Sequence, residues 1–171
     1  KYLLVGIDVA KDNHHAFFGT ATGHTVAKRL IFDNRRYGFE HLRAFSADLQ
    51  SQHGLSEVIY GVEPTASYHK PLAEYLLAHG DPVVYVSNVA VKRNRELLDG
   101  RWDKHDKKDA ANVADLLSQG RFLYYDCQYD AAREIIELLR RRLWLRGQCH
   151  GIRMRIRNHL VAQYFPELDE H

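Results

Sequence analysis

The stretch YLLVGIDVAKDNHHAFFGTATGHTVAKRLIF, Tyr2–Phe32, decides the fold. Tyr2–Ala10 is short, apolar and β-branched, and reads as a buried strand. His14–Thr22 reads as a second strand, and Thr22-Gly23-His24 gives a tight turn into a third, Thr25–Phe32. Hairpin logic sets the third antiparallel to the second. Downstream, Phe39, Leu42, Phe45 and Leu49 recur at helical spacing, with Asn34 as the candidate cap and Gly54 as the stop. Glu57–Glu63 is a strand again. TASYHKPLAEYLLAHG (65–80) is a helix with Pro71 at its start or in its first turn, and Pro82–Ser87 is a further strand.

Residues 88–105 read as part helix, part basic loop. The next helix, DKKDAANVADLLSQGRF, turns Ala110, Val113, Leu116 and Leu117 inward. A long helical pattern then runs from about Ala131 to Tyr164, and its apolar stripe slips phase near Gly147, which predicts a kink there. Three hairpin-joined strands followed by alternating helix and strand predict an α/β fold. It is a mixed sheet with its first three strands antiparallel, flanked by helices, in the ribonuclease H-like arrangement. The expected division is an α/β domain at 1–125 and a long helical, coiled-coil arm at 126–171.

A chain of 171 residues with 45% hydrophobic and 27% charged residues suits a soluble globular protein with one core and an appendage. No apolar run approaches the ~18 residues that span a bilayer, and no signal peptide precedes the first strand. The expected location is the cytoplasm, with no membrane partner. The chain begins at Lys1 and its only methionine is Met154, so a trimmed piece of a longer protein is expected. Cys127 and Cys149 are too few for a disulfide framework or a Cys-based zinc site. The 11 histidines form no zinc pattern; His14 and His15 lie on a strand with side chains on opposite faces. No phosphate-binding loop, dinucleotide fingerprint or nucleophile elbow is present. Charge is uneven: residues 1–139 carry 17 Lys and Arg against 19 Asp and Glu, whereas 140–171 carry seven Arg against three acids. The basic tail points to a polyanionic partner.

Several acids stand where chemistry would need them. Asp8 closes an apolar strand, and Glu63 closes another just before Pro64. Uncompensated burial of either charge is costly. If their strands are parallel neighbours, both lie at the sheet's carboxyl edge, where open α/β sheets place their sites. Asp106 and Asp109 share a helix face and could approach the same ion. They also fit a capping box, with Asp106 as cap and the neighbouring lysines offsetting charge. Asp103 could replace Asp106, and Asp12 could replace Asp8.

Taken together, GIDVAK, VEPTASYHKPLAEYL and DKHDKKDAANVADLL resemble the three motif blocks of the DEDD transposases of bacterial insertion sequences, whose N-terminal domain is RuvC-like. The family's first Asp matches Asp8. Its Glu, in an E-A/P-T-G-x-Y setting, matches Glu63, with Thr65 and Tyr68 in place and Ser67 standing where the family often has glycine. Its closing pair matches Asp106 and Asp109, with His105 where Thr is commoner. The resemblance implies catalysis and divalent-metal binding by Asp8, Glu63, Asp106 and Asp109, with Mg²⁺ as cofactor and Mn²⁺ as substitute. It also implies a further C-terminal domain, carrying a serine nucleophile, that lies outside these residues.

The resemblance further implies DNA as partner, with a structured bridge RNA. Phosphate contacts are expected from Lys92, Arg93, Arg95, Arg101, Lys104, Lys107 and Lys108. Thr65 and Tyr68 would touch backbone or base. Arg140, Arg141, Arg142, Arg146, Arg153, Arg155 and Arg157 suit RNA or DNA backbone, because a planar guanidinium fits phosphate. The apolar stripe of the arm implies a homodimer or higher oligomer. The competing readings are a stand-alone RuvC-like junction resolvase and a metal-free nucleic-acid-binding module.

Overall fold

The computed structural model describes residues 1–64, 66–99, 106–125, 130–165 and 167; for 95, 97–99, 106–108, 130, 131 and 133 it describes the backbone alone. The chain forms two compact units, Lys1–Tyr125 and Asp126–His171.

In the first unit, Tyr2–Asp8 (β1), Asn13–Thr20 (β2), Thr25–Asp33 (β3), Glu57–Val62 (β4), Val83–Tyr85 (β5) and Leu123–Tyr124 (β6) build one sheet in the order β3-β2-β1-β4-β5-β6. β1 to β3 pair antiparallel, β4 and β5 run parallel to β1, and β6 returns antiparallel to β5. The helices are Arg36–Gln52 (α1), His69–Ala78 (α2), Asn88–Asp99 (α3) and Asp106–Ser118 (α4). This is the ribonuclease H-like arrangement that the hairpins and alternation predict. β6 was not expected, since two residues are too few to carry an alternating pattern.

Strand alternation sorts the side chains into two cores. Leu3, Val5 and Ile7 of β1, Ala16 and Phe18 of β2 and Tyr60 and Val62 of β4 bury on one face with Phe39 and Leu42 of α1 and Leu72 and Leu76 of α2. Leu4 turns to the other face and packs with Val113, Leu116 and Leu117 of α4 and Val91 of α3. The second face has a glycine floor. Gly6 pairs with Gly61, and a Cβ on Gly6 would lie 2.2 Å from the Ala110 carbonyl oxygen and 2.4 Å from the Ala114 nitrogen. With no side chain at Gly6, α4 lies main chain to main chain on β1.

Two local features depart from the sequence pattern. Asn34 does not cap α1: the cap position is Arg35, extended and without a side-chain cap bond. Asn34 is drawn instead to the β1–β2 loop, where its Nδ2 donates to the Lys11 carbonyl at 3.1 Å. In the second unit, Asp130–Ile156 (α5) runs unbroken through Gly147. The irregularity comes later, as a π-helical turn at Arg157–Val161 followed by Ala162–Tyr164 (α6). A π turn inserts a residue and resets the phase of the stripe. Leu138, Leu143, Trp144, Leu145 and Ile152 of α5 are exposed. Among the described residues no helix is long and apolar enough to cross a membrane.

Candidate active site

Asp8 is the last residue of β1, and Glu63 follows β4 directly. Ile7 and Val62 are register partners, and the Glu63 amide donates to the Ile7 carbonyl at 3.3 Å. The two acids therefore adjoin at the carboxyl ends of the parallel strands at the centre of the sheet. Alternation from Leu4 and Gly6, and from Gly61, puts both on the α4 side. Asp109 reaches the same side from α4, one residue before the Ala110 that seats on Gly6, and it is only 2% exposed. A solvated helix start does not bury its carboxylate so deeply. Asp106 opens α4 as a helical residue; its side chain lies outside the described residues.

Asp8, Glu63 and Asp109 are each engaged in polar or electrostatic interactions. Among the described residues, no three His, Cys, Asp or Glu side chains converge closely enough to hold a metal ion. The donor chemistry nonetheless suits a hard divalent cation: carboxylate oxygens, delivered from three separate elements to one face. Asp12, the alternative to Asp8, is exposed in the β1–β2 loop, and Asp103 lies outside the described residues.

The loops that carry these acids are held by side-chain bonds to main chain. His14 is buried, edge-on to Phe32 with ring centroids 5.2 Å apart and stacked on Phe39 at 6.3 Å. Burial lowers its pKa, and its neutral Nδ1 accepts the Ala10 amide at 3.2 Å. The Asn34 side chain donates to the Lys11 carbonyl, and its main-chain N–H donates to the Asp12 carbonyl at 2.8 Å. His14 and Asn34 thus pin the loop that leaves Asp8. After Glu63, the Pro64 carbonyl accepts Asn88 Nδ2 at 3.2 Å, tying this turn to the start of α3. Ala66 is the one non-glycine residue with positive φ among those described, at 47°. The position in this turn that calls for glycine is therefore Ala66, not Ser67, and the E-P-T-G-x-Y spacing agrees once it is counted from Glu63.

Of the expected nucleic-acid contacts, Tyr68 is exposed just before α2, and Lys92 and Arg93 are exposed on α3. Thr65, Arg101 and Lys104 lie outside the described residues, as do the side chains of Arg95, Lys107 and Lys108. Arg140, Arg141, Arg142, Arg146, Arg153, Arg155 and Arg157 are exposed in the second unit.

Sequence reasoning missed His15. It placed His14 and His15 on opposite faces, which is right, but only the register shows that His15 stands directly across from Asp8. It also missed Gly6 and Gly61, although an isolated glycine inside a strand does signal a close main-chain approach.

A family profile of DEDD-type transposases matches residues 5–166, most of the chain. Thermus thermophilus RuvC in complex with a Holliday junction substrate is similar in structure at 10% identity and a TM-score of 0.45, covering 72% of this chain and 99% of that one. A second Thermus thermophilus RuvC structure aligns at 12% identity and a TM-score of 0.42, covering 71% and 99%. YeaZ from Pseudomonas aeruginosa aligns at 15% identity and a TM-score of 0.37, covering 58% of this chain and 50% of that one. No curated protein matches the sequence.

Proposed function

The chain belongs to the DEDD transposase family, and on that premise we propose that it provides the metal-dependent catalytic part of a recombinase that cleaves and exchanges DNA strands in insertion-sequence transposition. The observation that carries this reading is the placement of Asp8 and Glu63 on adjoining parallel strand ends with Asp109 buried on the same face. Asp8, Glu63, Asp109 and Asp106 would hold the divalent ions, Mg²⁺ in the cell and Mn²⁺ as a substitute. When bound, such ions activate an attacking water or hydroxyl and stabilise the departing oxygen of a phosphodiester.

Lys92 and Arg93, with Arg101, Lys104, Lys107 and Lys108, would neutralise backbone phosphates without reading sequence. Thr65 and Tyr68 would guide the strand beside Glu63, Tyr68 by stacking. The exposed arginines of the second unit would hold a structured RNA or DNA, since a guanidinium fork matches phosphate oxygens. The exposed Leu138, Leu143, Trp144 and Leu145 support self-association of that unit.

The test is the melting temperature with Mg²⁺ or Mn²⁺ against chelator, for this chain and for Asp8→Asn. Ligand linkage predicts a rise of several degrees when metal is far above its dissociation constant. Asp8→Asn should lose most of it. A wild-type chain indifferent to millimolar metal would overturn the reading.

A further inference from the structure

His15 lies one strand over from the proposed metal carboxylates. Its register partner across the antiparallel β1–β2 pair is Asp8. The faces agree as well. His14, Ala16 and Phe18 belong to the α1 and α2 side, so His15 points to the α4 side with Asp8, Glu63 and Asp109. Directly opposed residues on one face of an antiparallel pair have Cβ atoms about 4.5–5.5 Å apart. A carboxylate and an imidazole on that separation can come within hydrogen-bond reach by side-chain rotation, and Nδ1 is the ring nitrogen nearer the main chain.

That same atom is unsatisfied. His15 Nδ1 is buried and has no hydrogen-bond partner. A buried polar atom left without a partner is costly, so its place in the fold needs an explanation. Packing does not supply one, since an apolar side chain would fill the space without the penalty. Ligating carboxylates are commonly oriented by a hydrogen bond to the oxygen that does not face the ion.

We infer that His15 is a positioning residue of this site: its Nδ1–H donates to the Asp8 carboxylate and turns the other oxygen toward the divalent ion. The inference rests on the metal-binding reading given above. It assigns His15 no proton transfer and no direct ligation.

The test titrates Mn²⁺ into the whole chain by calorimetry and, separately, measures the metal-free melting temperature. His15→Phe keeps the ring and removes the donor. His15→Asn places an amide donor near the Nδ1 position, whereas His15→Gln moves that donor outward. Loss of an orienting partner costs roughly 10–100-fold in metal affinity. His15→Phe and His15→Gln should show that loss, His15→Asn should recover most of it, and none should melt lower than wild type without metal. Equal Mn²⁺ affinity in wild type and His15→Phe overturns the inference. So does equal weakness of Asn and Gln, or a metal-free destabilisation that tracks the affinity loss, because each marks a packing role. A wild-type chain that takes up no Mn²⁺ removes the metal reading itself, an outcome separate from a wild type that binds and a variant that binds as well.

Discussion

Gly6 and Gly61 are lateral partners in the parallel pairing of β1 and β4, and α4 rests on both. The two contacts differ in kind. Above Gly6 lie main-chain atoms of α4, the Ala110 oxygen and the Ala114 nitrogen; above Gly61 lies the tip of the Leu117 side chain, 2.6 Å from a built Cβ. A side chain can change rotamer, but a helix backbone moves only as a body. Gly6→Ala should therefore cost about 3 kcal/mol and Gly61→Ala nearer 1, the two ends of the usual range for overpacking. Gly6→Ala should also blunt the melting response to metal, because it lifts Asp109 away from Asp8. Paired thermal melts check this, and the reverse ranking would show that side-chain packing sets the seat of α4.

Some of this site is legible in residue types, and some only in the pairing. Asp8 and Glu63 stand out because each ends an apolar run, where a charge is expensive unless it has a task. Their adjacency follows once β1 and β4 are parallel neighbours, which the sequence posed as a condition and the strand register supplies. Asp109 could not be separated from a capping box by spacing, because three residues apart means one helix face in either case. What the fold adds is burial of Asp109, which depends on how close α4 comes to β1, and so on Gly6. His15 was invisible for another reason: facing depends on the strand's own period, but opposition depends on the register of two strands. Asn34 shows local propensity giving way to tertiary demand, since the Lys11 carbonyl takes the side chain that a helix start would otherwise use.

The turn after Glu63 carries strain at Ala66, whose φ of 47° lies in the left-handed region. For an L-residue with a Cβ that conformation costs roughly 1–2 kcal/mol, and glycine adopts it freely. The gain on Ala66→Gly is offset in part by the greater freedom of glycine in the unfolded chain, about 0.4–1 kcal/mol. A net stabilisation of up to about 1.5 kcal/mol is expected, seen as a higher melting temperature. Ala66→Val should fall clearly, because β-branching worsens the left-handed clash. A lower melting temperature for the glycine variant would mean that the turn is not strained.

Tyr60 sets an alkaline limit on stability. Its phenol is 2% exposed, and burial pushes its pKa up from 10.0 to about 12. The unfolded chain gives up this proton near pH 10, while the folded chain holds it to about 12. The stabilisation is therefore complete below pH 10 and is lost as pH rises through that window. A shift of this size corresponds to roughly 2–3 kcal/mol by linkage. Burial raises the Tyr85 pKa as well, in the same direction. Urea denaturation at pH 9 and pH 11.5 should show the fall, and Tyr60→Phe should flatten it without abolishing it. An unchanged slope in Tyr60→Phe would place the titration elsewhere.

The arginines of the second unit separate phosphate binding from a merely solvated helix face. Each phosphate neutralised on duplex DNA contributes about −0.9 to the slope of log affinity against log salt, and about −0.7 on a single strand. If Arg140, Arg141 and Arg142 each hold a phosphate, replacing all three with Gln should make the slope shallower by about 2–3 and weaken binding to unrelated sequences alike. Lys28 and Arg29 are also exposed, on β3. Replacing that pair with Gln changes net charge in the same direction but removes no expected contact, so it isolates the long-range field from direct neutralisation. Fluorescence anisotropy with a structured RNA and with a duplex, each across a salt series, reads both effects. A full slope in the triple variant would assign its arginines to solvent, and a duplex slope that falls while the RNA slope holds would assign them to DNA.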